Sequence, residues 1–364
     1  MTVERGAWVA WAFFAAFVGG PALLYVVAAE TTRTRLVIAT VLVVLAAAAA
    51  VLRQRRRIGA VLALLGGAFG AVALARVPSG AGEGAARSLY TKENPYPRYR
   101  VSNVIPEIDQ MKFGTYLAPA LDPIITFESA SKLRALTMGL YRAMDADPAF
   151  APLGSAMSYA YDNRDSGHLY TYVPAHEPGE RLGALVFLHG SGGNFKVYTH
   201  LLASVAEQER VVVVAPSFGF GNWQQEGGTA AIERARRHAV DVLGADPDRI
   251  VLAGLSNGGR GITRALAENG EAYTAVIAIS AVLETDVIDR AKAHAHRMPA
   301  LVIYGAADDR IDSEHEEDGA AALTLAGLYV RTHAYESEDH FLLFARRDEV
   351  MSEVASFVHE VLAR

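Results

Sequence analysis

Cysteine is absent from this chain of 364 residues, which excludes disulfide bonds and thiolate metal sites. An excess of positive charge is absent too, since the formal net charge is −6, so the chain has no basic footprint for nucleic acid. Charged residues are missing from three long apolar stretches near the start, and nothing in these stretches indicates an ion path or a proton relay. The chain is rich in hydrophobic residues, at 51%, and is longer than one typical domain requires.

The three uncharged stretches cover residues 7–29, 36–52 and 58–75. A helix needs about 20 apolar residues to cross a membrane, and flanking arginines can reach the interfaces when the stretch is slightly short. The first stretch is too long for a cleaved signal peptide, and two more follow it at once. Spacers of 6 and 5 residues disfavour three buried helices of a soluble protein. We therefore predict a transmembrane region of three helices within residues 1–77, which is a multi-pass membrane location.

The charges in the spacers predict the orientation of these helices. Residues 53–57 carry four arginines and no acid, whereas residues 30–35 carry two arginines and one glutamate. The spacer that is richer in arginine is expected to stay in the cytoplasm. Everything after Arg76 is then predicted to be extracytoplasmic.

Residues 78–154 form a linker and pre-core segment in this prediction. Residues 78–87 have the composition of a flexible tether, and residues 88–125 show no clear periodicity. From Phe127 to Met144 the pattern is that of an amphipathic helix, with apolar residues on one side. Three placements are open for such a helix: it can pack on the following domain, cover the cleft of that domain or touch the bilayer.

Residues 155–364 alternate apolar runs with helical patterns, which predicts a mostly parallel α/β sheet. Two early, more polar strands fit an antiparallel edge. The predicted strands are Met157–Tyr161, Leu169–Val173, Ala184–Leu188, Val211–Ala215, Ile250–Ala253, Ala275–Ile279, Ala300–Tyr304 and Leu328–His333. The predicted helices between them are Phe195–Gln208, Gly228–Leu243, Gly259–Asn269, Val287–His294 and Glu314–Leu325.

One of these strand-to-helix junctions has the pattern of a nucleophile elbow. The run Ile250–Ala253 leads into Gly254-Leu-Ser256-Asn-Gly258, and a helix follows. A serine between two glycines at a sharp turn of this kind projects its oxygen above the sheet edge. The alternative is a glycine-rich turn that carries an exposed serine without a catalytic role.

A second glycine-rich loop follows the strand Ala184–Leu188 and reads His189-Gly-Ser-Gly-Gly-Asn194. Backbone N–H groups in such a loop can stabilise a developing oxyanion. We predict that the N–H groups of Ser191 and Asn257 form this oxyanion hole, with Gly192 as the alternative donor and a substrate contact. The alternative for the whole loop is an ordinary turn.

An acid and a histidine follow two later strands. Asp308 and Asp309 come after Ala300–Tyr304, and either can orient a histidine. His340 comes after the last predicted strand, where it can take the serine proton and return it to the leaving group. His294 and His296 have no nearby partner set, so we predict neither a metal site nor a cofactor.

Two aromatic residues are candidates for substrate contacts. Phe220 and Trp223 follow the strand Val211–Ala215 and can line the cleft. Ordinary loop packing is the alternative for both.

The chain order Ser256, Asp308, His340 is that of the α/β-hydrolases. From about residue 157 to the end, the sequence resembles that superfamily, and within it the esterase, feruloyl-esterase and polyhydroxybutyrate-depolymerase-like group. The residues that carry the resemblance are 188–194, 246–259 and 305–311. The resemblance implies an α/β-hydrolase fold and selects Asp308, which comes three residues after Gly305. The family usually has glycine before its histidine, whereas this chain has Asp339.

We therefore predict a membrane-anchored serine hydrolase that cleaves carboxylic esters through an acyl-enzyme. The expected partners are a small-molecule or lipid-like ester and the lipid bilayer, without nucleic acid; the sequence does not set an oligomeric state. Two alternatives stay open. One is a serine peptidase of the same fold, and the other is an inactive membrane-bound sensor or scaffold that keeps the fold.

Overall fold

A computed structural model describes residues 20–121, 125–161, 165–291 and 297–363. The chain forms two compact units, of which the first comprises Met1–Pro78 and Pro97–Gly114 and the second Ser79–Tyr96 and Thr115–Arg364. The predicted membrane helix 7–29 lies largely outside the described residues, which include its last part as helix α1, Gly20–Ala28. His294 and His296 also lie outside the described residues.

Two long apolar helices, α2 (Thr32–Leu52) and α3 (Arg56–Ala75), pack against each other in the first unit. Both are long and apolar enough to cross a membrane. Their contact is close because Gly59 and Gly66 face it: a Cβ on Gly59 would lie 2.6 Å from Val51 Cγ2. Large apolar side chains elsewhere on the two helices are exposed, among them Val41, Val61 and Leu64.

Two helices of the pre-core segment were not predicted: α4 (Val101–Val104) and α5 (Glu107–Leu121). Helix α5 fixes the turn before α2, because the carboxylate of Asp109 accepts hydrogen bonds from Glu30 N at 2.6 Å and from Thr31 Oγ1 at 2.6 Å. Lys112 Nζ donates to Ala28 O at 2.6 Å in the same turn. Polar contacts therefore hold this part of the first unit together, with an edge-to-face contact between the rings of Phe113 and Tyr25 at 4.3 Å.

The second unit is built on an eight-stranded sheet with the strand order β1-β2-β4-β3-β5-β6-β7-β8. The strand β2 runs antiparallel to β1 and β4, and the six strands β3 to β8 are parallel to one another. The strands are Ala86–Leu89 (β1), Asp165–Tyr172 (β2), Gly183–Leu188 (β3), Val211–Phe218 (β4), Ile250–Leu255 (β5), Ala275–Ile279 (β6), Pro299–Gly305 (β7) and Tyr329–Tyr335 (β8).

The prediction of a mostly parallel sheet with an antiparallel edge is confirmed, and the order is that of an α/β-hydrolase-like fold. The edge itself differs from the prediction. The strand β1 lies partly in the predicted tether, whereas Met157–Tyr161, predicted as a strand, contains the short helix α7, Met157–Ala160. Ser158, Tyr159 and Ala160 are all buried, so the alternation expected of a half-buried strand is absent.

Helices cover both faces of the sheet, and for this reason β3, β4, β5 and β6 are buried along their whole length. The remaining helices are α6 (Phe127–Ala146), α8 (Lys196–Glu209), α9 (Gly228–Arg237, continued by a π turn), α10 (Gly258–Asn269), α11 (Thr285–Ala291), α12 (Ser313–Leu325), α13 (Leu342–Ala345) and α14 (Arg347–Leu362). Helix α6 agrees with the amphipathic prediction. Helices α13 and α14 near the end of the chain were not predicted.

Candidate active site

Ser256 lies at the sharp turn between β5 and α10 and has a φ of 53°. A residue other than glycine in this left-handed region costs about 1–3 kcal/mol, so the surrounding structure has to hold it there. Two hydrogen bonds of its own backbone do so: Ser256 N donates to Ile279 O at 3.0 Å, and Ser256 O accepts from Val282 N at 2.9 Å. The turn therefore presents the serine in one fixed conformation.

The glycines on either side of Ser256 are required by close backbone contacts. A Cβ on Gly258 would lie 2.3 Å from the carbonyl oxygen of Leu188, and a Cβ on Gly254 would lie 2.8 Å from the carbonyl carbon of Gly258. Real Cβ contacts are never this short, so only glycine lets helix α10 start against strands β3 and β5. The sequence pattern Gly-Leu-Ser-Asn-Gly thus has a steric cause in this fold.

The structure brings the three predicted triad residues together. His340 Nε2 lies 3.1 Å from Ser256 Oγ, and His340 Nδ1 lies 2.7 Å from Asp308 Oδ2. An ionised Asp308 accepts the Nδ1 proton, which leaves Nε2 as the acceptor for the serine hydroxyl. The arrangement is that of a general base next to a nucleophile, with an acid that orients the base.

Asp308, and not Asp309, occupies the acid position, since its side chain is buried and Asp309 is exposed. Asp308 Oδ1 accepts two backbone hydrogen bonds, from Arg310 N at 2.8 Å and Ile311 N at 3.0 Å. Burial acts to raise the pKa of Asp308, but the hydrogen bond and charge of His340, with these two N–H groups, outweigh it and hold the pKa below its usual range. The carboxylate is therefore ionised at neutral pH.

The loops after β7 and β8 are joined through their backbones, which places Asp308 beside His340. A Cβ on Gly305 would lie 2.2 Å from Glu338 O, and the same oxygen accepts a hydrogen bond from Ala307 N at 3.0 Å. The glycine three residues before Asp308 is thus the point where the two loops touch.

The loop after β3 approaches the serine from the other side. A Cβ on Gly190 would lie 3.0 Å from Ser256 Cβ, so the loop passes directly over the nucleophile. Asn257 Nδ2 donates to Ser191 Oγ at 2.8 Å and links the two residues predicted for the oxyanion hole. The N–H of Gly192 donates to Phe220 O at 3.2 Å, so it is engaged and is unsuited to the role of alternative donor.

His189 supports this loop from within the core. Phe218 N donates to His189 Nε2 at 3.1 Å, and His189 Nδ1 lies 2.8 Å from Gly190 O, which fixes Nδ1 as the protonated nitrogen. Burial lowers the pKa of His189 to about 4, against a smaller opposing effect of the bond to Gly190. His189 is therefore neutral and ties the loop after β3 to the end of β4.

The prediction that Trp223 lines the substrate cleft is wrong. Its side chain is completely buried, its Nε1 donates to His189 O at 2.9 Å, and its ring stacks on Phe218. Phe220 is partly exposed, and its ring meets that of Tyr161 edge to face at 5.4 Å. Tyr161 is 73% exposed. It was not predicted as a site residue, because the sequence predicts a strand over the segment that contains it.

Within the described residues, no group of three or more His, Asp or Glu side chains is placed to hold a metal ion. The groups at Ser256 are instead a hydroxyl, an imidazole and a carboxylate in one hydrogen-bonded series. This set suits nucleophilic catalysis by serine.

No protein-family model matches the sequence, and no curated protein matches it. Among solved structures, the chain is similar to a puromycin-hydrolyzing peptidase of Mycobacterium tuberculosis, with a TM-score of 0.45 and 18% identity over 54% of this chain and 37% of that one. It is similar to an esterase of Pyrobaculum calidifontis, with a TM-score of 0.44 and 19% identity over 53% of this chain and 80% of that one.

A third similar structure is a fluorophosphonate-binding serine hydrolase of Staphylococcus aureus, with a TM-score of 0.46 and 15% identity over 53% of this chain and 92% of that one. The chain spans little more than a third of the length of the peptidases that it matches first. Likenesses at this level carry no argument about function, which has to come from the side chains of the site.

Proposed function

We propose that this chain is a membrane-anchored serine hydrolase that cleaves carboxylic esters through an acyl-enzyme. The observation that supports the proposal most is the unbroken series of hydrogen bonds from Ser256 through His340 to Asp308, at 3.1 Å and 2.7 Å. The strained elbow and the glycine-rich loop over the serine complete the groups that acyl transfer requires.

In the first half of the reaction, Ser256 Oγ attacks the carbonyl carbon of the ester while His340 Nε2 takes the hydroxyl proton. The imidazolium that forms is stabilised by the ionised Asp308. The carbonyl oxygen becomes an oxyanion, which the backbone N–H groups of Ser191 and Asn257 bind. His340 then gives its proton to the departing alkoxide, so an alcohol leaves and the acyl group stays on Ser256.

In the second half, water attacks the acyl-enzyme with His340 as the base. The oxyanion forms again in the same place, and its collapse returns the proton from His340 to Ser256. A carboxylic acid is released. The removal of one oxyanion donor costs about 2.7–4 kcal/mol in enzymes of this kind, so the loop of residues 189–194 contributes a large part of the catalysis.

The rings of Phe220 and Tyr161 support an ester with an apolar portion as the substrate. The backbone of Phe220 holds the loop after β3 through its bond to Gly192 N, so the aromatic pair stands next to that loop. Aromatic rings that are at least partly exposed next to this loop offer an apolar contact to an acyl or alcohol group. We assign Phe220 and Tyr161, rather than Trp223, to this contact.

The membrane anchor is supported by the apolar surface of α2 and α3. Both helices expose large aliphatic side chains over their length, and a water-soluble unit would bury such a surface. The four arginines where α2 ends and α3 begins, at residues 53 and 55–57, are exposed and suit the cytoplasmic face. This orientation places the hydrolase unit outside the cytoplasm.

Labelling of the purified full-length chain with a fluorophosphonate tests the proposal. We expect stoichiometric labelling of the wild type and none of Ser256→Ala, while the exposed Ser352→Ala, on α14, labels like the wild type. The same preparations are then given p-nitrophenyl esters of increasing chain length and peptide p-nitroanilides. Labelling that persists in Ser256→Ala, or faster cleavage of the peptides than of the esters, would contradict the proposal.

A further inference from the structure

The residue immediately before His340 makes an ion pair with a distant helix. Asp339 Oδ1 accepts a hydrogen bond from Phe341 N at 3.0 Å, and its carbonyl oxygen accepts one from Leu342 N at 3.0 Å. Its second carboxylate oxygen, Oδ2, lies 2.8 Å from Lys132 Nζ, 207 residues away in the sequence. One carboxylate therefore folds the His340 loop on itself and also fixes it to helix α6.

Helix α6 is a firm support for Lys132. Its N-terminus is capped by Thr126 Oγ1, which accepts from Ser129 N at 3.0 Å. Its inner face is buried through Leu140, Tyr141 and Met144. The helix packs against α8 and against α13, the helical turn that directly follows His340. The side chain of Lys132 thus starts from a packed helix, and its ammonium group pairs with Asp339.

The two acids that precede His340 in its loop are each paired with a base. Glu338 Oε1 lies 3.8 Å from Arg346 Nη1, and Asp339 Oδ2 lies 2.8 Å from Lys132 Nζ. The second of these ion pairs joins the loop of His340 to helix α6.

We propose that Lys132 is a positioning residue for the hydrolysis: through Asp339 it holds the loop of His340 in its reactive place. The inference rests on the proposed function, because it concerns the base in that reaction. Lys132 belongs to the segment before the part of the chain that resembles α/β-hydrolases.

A purely structural ion pair and a positioning residue have different signatures. The side chains of Lys132 and Asp339 are 40% and 25% exposed, so as a structural pair they would add little to stability and nothing to the rate. A positioning role instead affects kcat, and leaves KM for a small ester unchanged.

The test uses the full-length chain with p-nitrophenyl acetate as the probe. Lys132→Met removes the charge and keeps the length of the side chain, whereas Lys132→Arg keeps the charge. Arg142→Met is the matched control, because Arg142 is exposed on the same helix, ten residues or about 15 Å further along. Thermal unfolding of each variant checks that it is folded.

For Lys132→Met we expect kcat to fall about two- to fivefold, with KM and the thermal unfolding temperature little changed, because the base loses part of its support while the ester still binds. Lys132→Arg behaves like the wild type. Addition of Asp339→Asn to Lys132→Met lowers kcat no further, since the two side chains form one link.

The inference is overturned if Lys132→Met matches Arg142→Met in kcat, or if Asp339→Asn lowers the kcat of the double variant by a further factor of the same size. Failure of the proposed function looks different: the wild type would neither hydrolyse the ester nor react with a fluorophosphonate. Normal labelling of the wild type and of Lys132→Met, with identical kcat, would remove the role of Lys132 and leave the hydrolase intact.

Discussion

Asn257 and Ser191 are joined by a hydrogen bond of 2.8 Å from Nδ2 to Oγ, although 66 residues separate them. The bond links the elbow after β5 to the loop after β3, the two segments whose backbone N–H groups we assign to the oxyanion hole. Their relative position is therefore set by side chains as well as by the sheet. A hole that is assembled before the substrate arrives needs no rearrangement in the transition state.

Asn257→Ala is expected to loosen this hole without removal of either backbone donor. The loss of one neutral hydrogen bond corresponds to about 0.5–1.5 kcal/mol, so we expect kcat to fall about two- to tenfold with little change in KM. Steady-state kinetics with p-nitrophenyl acetate provide the measurement. Ser191→Ala removes the same bond from the other side, and a double variant no worse than either single one would show that one interaction is involved. Additive losses would count against the link.

Asp308→Asn should reduce kcat about 10⁴-fold, as the equivalent change does in other serine triads, because an amide can donate to Nδ1 and then favours the wrong tautomer of His340. The neighbouring Asp309→Asn is the control, since Asp309 is exposed and, of the two acids, it is Asp308 that bonds to the imidazole. It should keep near wild-type activity. Equal losses in the two variants would mean that the acid has been assigned to the wrong residue.

Gly258→Ala should be severely destabilising, because the new methyl group would lie 2.3 Å from Leu188 O and backbone has to move. The matched control is Gly139→Ala in helix α6, where a Cβ meets no atom within 4 Å. Alanine is better than glycine in a helix interior by about 0.5–1 kcal/mol, so this variant should be slightly more stable. Denaturant unfolding of both variants gives the comparison, and similar midpoints would refute the steric argument.

Glu316 on helix α12 is completely buried. We therefore predict that the free energy of unfolding depends on pH. Burial, with a smaller contribution from the charge of Asp308, raises its pKa to about 9. Because this is above the value of about 4.3 in an unfolded chain, the protonated side chain stabilises the fold fully below pH 4. That stability is lost as the pH rises through the interval up to about 9, at about 1.4 kcal/mol per pH unit.

Glu316→Gln has no proton to lose, so its unfolding free energy should exceed that of the wild type by an amount that grows between pH 5 and pH 8. Denaturant titrations at several pH values measure this difference. The exposed Asp318→Asn on the same helix serves as the control and should give a curve parallel to the wild type. Parallel curves for Glu316→Gln as well would contradict the raised pKa.

Most of the parallel strands could be predicted from the sequence, because strands that are covered on both faces are continuous apolar runs. The strand β6 was predicted residue for residue as Ala275–Ile279. The strand β1 could not be, since Ala86–Leu89 is short, follows a glycine-rich stretch and is defined by its pairing with β2. Helix α5 could not be predicted either, because the polar side chains of Asp109 and Lys112 make several of its contacts and interrupt the apolar pattern of Ile108 and Phe113.

The positions of Ser256, Asp308 and His340 could be predicted because each follows a strand whose end lies at the same edge of the sheet. The surroundings of the site could not be predicted from the sequence. An aromatic residue in a loop near the site can face inward or outward, and sequence alone does not separate buried Trp223 from exposed Tyr161. The ion pair of Lys132 with Asp339 joins residues with no local pattern in common, so only the folded chain reveals it.

Strand β1 has a practical consequence for shortened versions of the protein. It covers one edge of β2 through four paired residues, and Ser88 Oγ lies 2.7 Å from Nε2 of the buried His168. A fragment cut at residue 155, where the resemblance to hydrolases suggests a boundary, would leave the open edge of β2 free to pair with other molecules and would aggregate. A fragment intended for crystallisation should therefore begin no later than Ser79 and keep residues 79–154.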